Sequence, residues 1–218
     1  MQTYQTVYEA GSGEIVEKKS RFIAHVFPVR TEEEVLDLIE QTKKKYWDAR
    51  HNCHAYILGA GGEVSRCSDD GEPSGTAGRP ILDVLMGREL RNVLVIVTRY
   101  FGGTLLGTGG LIRAYSAAAQ EGLKNSRVIT KLLGKRLTIQ TDYNGIGKLQ
   151  YVVSNLGLSV EDTLYEDVVK IKAFVAIEDC GRVEKAITEA SSGQARLCFS
   201  EEDIYFAQLE HGVAVFKE

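Results

Sequence analysis

Five glycines fall within the nine residues from Gly102 to Gly110, and this cluster constrains the chain more than any other stretch. Before it, Asn92-Val93-Leu94-Val95-Ile96-Val97-Thr98 is a short, β-branched apolar run that reads as a buried strand. After it, Leu111 to Leu123 is rich in Ala, Leu and Ile and reads as a helix. The order is therefore strand, glycine-rich turn, helix start. The first N–H groups of a helix have no partner inside the helix, and the helix dipole favours negative charge there. Glycines let an anion approach such a turn closely. Arg99 and Arg113 bracket the turn and carry charge suited to a phosphate or carboxylate. Gly102 to Gly107 has phosphate-loop spacing, but Thr108 stands where that motif needs lysine. A dinucleotide fingerprint starting at Gly107 and Gly109 needs glycine where Ile112 stands. The alternative reading is that the glycines serve only a tight turn and close helix–sheet packing.

A second unusual stretch runs from Ser68 to Pro80: Ser68-Asp69-Asp70-Gly71-Glu72-Pro73-Ser74-Gly75-Thr76-Ala77-Gly78-Arg79-Pro80. It is too polar and too glycine-rich for the interior of an element. Pro80 suits the first position of a helix through Met86, so the loop delivers a second helix N-terminus. Asp69, Asp70 and Glu72 are suited to a divalent cation or to acid–base work, and equally to Asx turns and caps. Ser74 is not in a G-x-S-x-G elbow. Between the two motifs and the N-terminus, His51, Cys53 and His54 invite a metal reading with Cys67 and Asp69. Their spacing fits no zinc pattern, and no metal or cofactor is expected.

The rest of the first half reads as follows. Thr3 to Ala10, Glu14 to Lys18 and Arg21 to Phe27 are strand candidates, with Gly11-Ser12-Gly13 as a turn, and together they suggest an antiparallel meander. Thr31 and Glu34 form a capping box ahead of a helix carrying Val35, Leu36, Leu38 and Ile39, with Lys43, Lys44 and Lys45 in its last turns. Tyr46 to Leu58 leads through Gly59–Gly62 into a hairpin ending near Cys67. Residues 126–135 mix Ser, Lys and Gly and are taken as the boundary between a domain over 1–130 and one over 134–218. The second shows strand, helix, strand, strand, helix, strand: Arg136 to Thr141, Gly145 to Asn155, Ser159 to Tyr165, Val168 to Ile177, Cys180 to Ser191 and Ala195 to Phe199. Asp203 to Leu209 is a further strand candidate. That order is a split βαβ, or ferredoxin-like, unit.

Composition bounds the function. Of 218 residues, 44% are hydrophobic and 26% charged, which is ordinary for a globular chain, and no apolar run nears the ~20 residues of a membrane span. The first residues show no signal pattern, and the four cysteines include no C-x-x-C pair, so a reduced, cytoplasmic protein is expected. The net charge of −4 is unevenly spread: residues 1–130 hold 16 basic and 16 acidic side chains, and residues 131–218 hold 10 and 14. No globally basic surface exists for non-specific nucleic-acid binding, which leaves room only for a local basic groove.

Arg99 to Gly103 followed by Leu106 to Leu111, with Ser68 to Gly78 and Pro80 upstream, resembles the signature of the YigZ/IMPACT family, and the likeness covers essentially the whole chain. The resemblance implies an α+β architecture. The first half would have the β-α-β fold shared by a small-subunit ribosomal protein and domain IV of elongation factor G. The second would have the ferredoxin-like fold of domain V of that factor. It also implies a surface suited to RNA or the ribosome. Eukaryotic relatives restrain a translation-control kinase by competing for its scaffold protein through an extra N-terminal domain. No such domain is expected here, because Thr3 already opens the first strand.

Three functions follow. In the first, the chain binds RNA or the ribosome in translation, with Arg79, Arg99, Gly102, Gly103, Gly107, Thr108, Gly109, Gly110 and Arg113 forming an anion-binding groove. Asp69, Asp70, Glu72, Ser74, Gly75, Thr76 and His54 would form its second wall. Tyr100, Phe101 or Tyr115 would stack on bases, with a core position expected of Phe101. In the second, the chain is an enzyme on a small phosphorylated or carboxylated substrate, with Asp69, Asp70, Glu72 and His54 as acid–base groups. In the third, it is a regulator that contacts a protein partner through the acidic second domain. The first is preferred.

Overall fold

The computed structural model describes residues 3–209 and 212–216. It divides into two compact units, one of Tyr4–Ile129 and one that joins Thr3 to the residues from Thr130 onward. Among the described residues no helix is long and apolar enough to cross a membrane.

The first unit contains β1 (Thr3–Glu9), β2 (Gly11–Glu17), β3 (Ser20–Pro28), α1 (Glu32–Lys45), β4 (His51–Leu58), β5 (Val64–Ser68), α2 (Gly78–Gly87), β6 (Val93–Tyr100) and α3 (Gly107–Lys124). Five strands form an antiparallel sheet in the order β2-β3-β6-β4-β5. Helices α2 and α3 cover one face, packing Leu82, Leu85, Tyr115, Ala118 and Ala119 on Phe22, Ala24, Cys53, Ala55, Val95 and Val97. Helix α1 covers the other, packing Val35 and Ile39 on Tyr56, Leu58, Leu94 and Ile96. The central strand β6 is thus buried on both faces, which is why it is a continuous apolar run rather than an alternating one. Helix α1 is capped as its sequence demands: Thr31 Oγ1 accepts the Glu34 N–H at 3.2 Å. The Glu34 carboxylate reaches back to the Arg30 N–H at 2.6 Å, one residue before the cap itself.

The expected three-stranded meander does not form. Gly11 and Gly13 lie within β2, where α3 packs closely over the strand. The turn is instead Lys18-Lys19, both with positive φ (46° and 65°), a two-residue loop matched to the twist of an antiparallel hairpin. Strand β1 lies outside the five-stranded sheet. Its Gln5 bridges Leu90, and its Glu9 pairs with Arg127 at 3.0 Å. Pro80 is the third residue of α2 rather than the first.

The second unit holds most of β7 (Arg127–Thr141), then α4 (Ile146–Asn155), β8 (Ser159–Tyr165), β9 (Val169–Ala176), α5 (Cys180–Ala190), β10 (Arg196–Phe199), β11 (Ile204–Leu209) and β12 (Gly212–Phe216). Residues 126–135 are mostly strand, not linker, because β7 starts at Arg127. Strand β9 lies between β7 and β8. The other edge of β7 is shared, with β10 on its C-terminal half and β11 on its N-terminal half. Leu137, Ile139, Ile171 and Val175 pack against Leu149 and Val153 of α4 and Val183 and Ile187 of α5. The terminal hairpin β11–β12 adds a strand beyond those expected.

Candidate functional site

Arg99, the next-to-last residue of β6, points inward, not toward solvent. Its Nη1 donates to Glu72 Oε1 at 2.6 Å, and the two side chains are only 7% and 4% exposed. The same carboxylate oxygen accepts the Tyr115 hydroxyl from α3 at 2.8 Å. Arg99 Nη2 donates to Ser20 Oγ at 3.4 Å, and that oxygen also accepts the Gly102 N–H at 3.1 Å. The guanidinium faces the rings of Phe22 and Phe101. Four separate segments are therefore fastened at one buried ion pair: the 68–78 loop, the β2–β3 hairpin, the glycine loop and α3. The Cys53 thiol donates to the Asp69 carbonyl at 2.9 Å. Burial pushes this thiol up to about 12 and pushes the Tyr115 hydroxyl up as well, so neither supplies an anion near neutral pH.

The acidic loop is also turned to internal use. Asp69 Oδ1 accepts the N–H groups of Ala77 and Gly78 at 3.0 and 2.8 Å, and Oδ2 accepts that of Gly75 at 2.8 Å. Burial alone would raise this carboxyl, but the three backbone donors outweigh it and hold it below the usual aspartate value. Asp69 thus fills the N-terminus of α2 with a built-in anion. Asp70 accepts the Asn52 N–H and Lys43 Nζ, both at 2.7 Å, and its carbonyl meets His51 Nδ1 at 2.9 Å. Its carboxyl is likewise lowered: burial pushes it up, and the Lys43 and Asn52 contacts more than reverse that. Thr76 is buried and bonds the Pro73 carbonyl, whereas Ser74 and Gly75 are exposed. His54 sits half-buried on β4, with burial lowering its imidazole.

These contacts correct several expectations. Arg99 is not placed for a phosphate, because it is committed to Glu72. Asp69, Asp70 and Glu72 are not free acid–base groups, because each closes a structural contact. Tyr115 is fully buried and offers no face to a base, while Phe101, expected in the core, is 51% exposed. Among the described residues no three His, Cys, Asp or Glu side chains converge as a ligand set.

The glycine loop is different. Gly102 has no room for a side chain, because a Cβ there would run into the backbone of Lys19 and Ser20. Gly103 and Gly107 adopt positive φ (86° and 70°) and face open space. Helix α3 begins at Gly107 with no side-chain cap. Thr108 and Gly109 in its first turn are exposed, as is Arg113 one turn on, while Gly110 packs on Leu106. Leu105 stands 83% exposed beside them. Arg79 is exposed and pairs with Asp83 at 2.8 Å, in a groove between α2 and α3 that Ile112 and Ser116 also line. Of two helix starts, one is filled from within and one is open. The roles of Ser20, Cys53 and Tyr115 carried no local signal, since each acts on a residue far away in the chain.

Two family models match: "Impact N-terminal domain" over residues 18–123, which includes both loops, and "Domain of unknown function (DUF1949)" over residues 139–194. The chain is 40% identical over 195 residues to the IMPACT family member YvyE of Bacillus subtilis (strain 168), covering 89% of this chain and 90% of that one. It is 30% identical over 187 residues to the IMPACT family member YigZ of Escherichia coli (strain K12), covering 85% and 92%. A crystal structure described as that of a hypothetical protein superposes with a TM-score of 0.59 at 28% identity, over 93% of this chain and all of that one. Identity sustained across both units places the chain in the IMPACT family.

Proposed function

We propose that this chain is a translation-associated regulator that binds RNA or the ribosome through the open start of α3. The supporting observation is the contrast between the two helix starts. Asp69 occupies that of α2, while that of α3 has no side-chain cap, lies among exposed glycines and is followed by exposed Arg113. Backbone N–H groups and a nearby guanidinium suit a phosphate oxygen. Arg79 would add a second cation from the neighbouring groove. The α+β arrangement supports a finer fold reading as well. The second unit's strand order β10-β7-β9-β8, with α4 and α5 between its strands, supports reading it as a ferredoxin-like unit. The three-layer first unit is read as the elongation-factor-G domain IV type, and a cytoplasmic location goes with this role.

Co-sedimentation with ribosomes across a salt series tests the proposal. Affinity should fall linearly on a log–log plot, and Arg79→Ala with Arg113→Ala should weaken binding and reduce the slope by about 2, one per lost phosphate contact. Both residues are exposed, so stability should stay within about 0.5 kcal/mol. Salt-independent binding, or none at low salt, would overturn it.

A further inference from the structure

Trp47 is the chain's one tryptophan and is 82% exposed, although burying an indole is among the larger stabilising terms a small domain has. It sits in the turn after α1, and its two neighbours are tied down. Tyr46 hydrogen-bonds His25 Nε2 at 2.7 Å, and Asp48 Oδ1 accepts the Tyr100 hydroxyl at 2.7 Å. The indole is therefore held outward by a fixed turn rather than left loose. Beside it, Arg21 lies over the Tyr100 ring with its Cζ 5.8 Å from the centroid, and Lys45 Nζ is 5.1 Å from the Tyr46 centroid.

The charge around these rings is one-sided. Residues 18–21 and 43–50 contain seven Lys and Arg and a single acid, Asp48. Three of the cations are paired, Arg21 with Glu14, Lys43 with Asp70 and Lys44 with Glu40. The Arg21 pair is bidentate, whereas the exposed, single-contact Lys44 pair exchanges readily for a stronger anion. The patch also borders the first residue of the glycine loop that leads to α3. Gly102 packs on Lys19 and Ser20, so the Lys18-Lys19 turn stands next to the glycine loop.

We propose that Trp47, with Tyr100 and the Lys18-Lys19 turn, forms a stacking platform for the bases of single-stranded RNA. The inference rests on the RNA reading of the glycine loop and extends it to a named surface and a named form of RNA. Flat aromatic faces flanked by cations match unpaired bases joined by phosphates, whereas a duplex keeps its bases stacked away from such a platform.

Trp47 is its own reporter. A 5′-labelled 15-nucleotide oligouridylate is titrated at low salt, reading label anisotropy for binding and tryptophan emission for stacking. Saturation should quench Trp47, and a duplex of equal length should not. Trp47→Ala should weaken binding about tenfold, with Trp47→Phe restoring most of it. Lys18→Ala with Lys19→Ala should flatten the salt slope by about 2. Unchanged emission at saturation, or unchanged affinity in Trp47→Ala, overturns the platform. If ribosomes co-sediment in an Arg113-dependent way while the oligouridylate does not bind, the platform falls and the glycine-loop reading stands. If neither binds, both fall.

Discussion

Glu72 sits where one carboxylate answers a guanidinium and a phenol together, with almost no water around it. Removing one member of such a pair leaves the other charged and buried, a loss of about 3–5 kcal/mol, far more than a surface ion pair is worth. Glu72→Ala should therefore lower the free energy of unfolding by that amount in urea titration. Glu72→Leu combined with Arg99→Met should recover a large part of it, because no unpaired charge remains. A loss under about 1 kcal/mol in Glu72→Ala would show that water reaches the pair and that the four segments are held by packing instead. None of this was legible in the sequence. Arg99 looked like a phosphate ligand because its neighbours are glycines, and its true partner lies 27 positions upstream with nothing local to mark it. Thr31 and Glu34, by contrast, act within one helical turn, and their spacing alone announced the cap.

At the scale of elements, helices α2 and α3 face the same physical demand and meet it in opposite ways. Both begin with unpartnered N–H groups. The 68–78 loop folds Asp69 back onto the start of α2, while the glycine loop leaves that of α3 open. Asp69→Asn should cost about 1–2 kcal/mol, in the range of a lost helix cap. The pH dependence gives the sign. Asp69 and Asp70 both have lowered folded values, so the stability they contribute is fully present above the unfolded value of about 3.9. It is lost as pH falls from there through the folded values. Stability measured from pH 6 down to pH 2 should drop along that limb in the parent and drop less in Asp69→Asn. Equal acid limbs would mean that the carboxylate's charge is not what holds the turn. The sequence showed both loops and both helices but not this division of labour, since it cannot say which side chain folds back on which helix. The β2–β3 turn was missed for a related reason. Glycines at 11–13 gave the stronger local signal, yet Lys18-Lys19 takes the left-handed backbone.

At the scale of the whole chain, the two units differ in charge, and that difference was plain from composition. Residues 1–130 balance at 16 basic and 16 acidic side chains, and residues 131–218 carry the entire acidic excess. The position of the division was less plain. It falls between Ile129 and Thr130, inside β7, because a long strand beginning at Arg127 replaces the polar linker that Ser, Lys and Gly suggested. Each unit has its own buried cluster, Phe22, Val95 and Tyr115 in the first and Leu137, Ile171 and Val183 in the second. A fragment of residues 1–129 should thus unfold cooperatively by itself. It should also bind ribosomes and single-stranded RNA at least as tightly as the full chain, because the acidic unit adds only repulsion toward phosphate at long range. Residues 130–218 should bind neither. If the second fragment alone retained ribosome binding, and that binding ignored salt, the acidic unit would be a protein-contact surface. The open start of α3 would then be a turn solved with glycine, with no anion to hold.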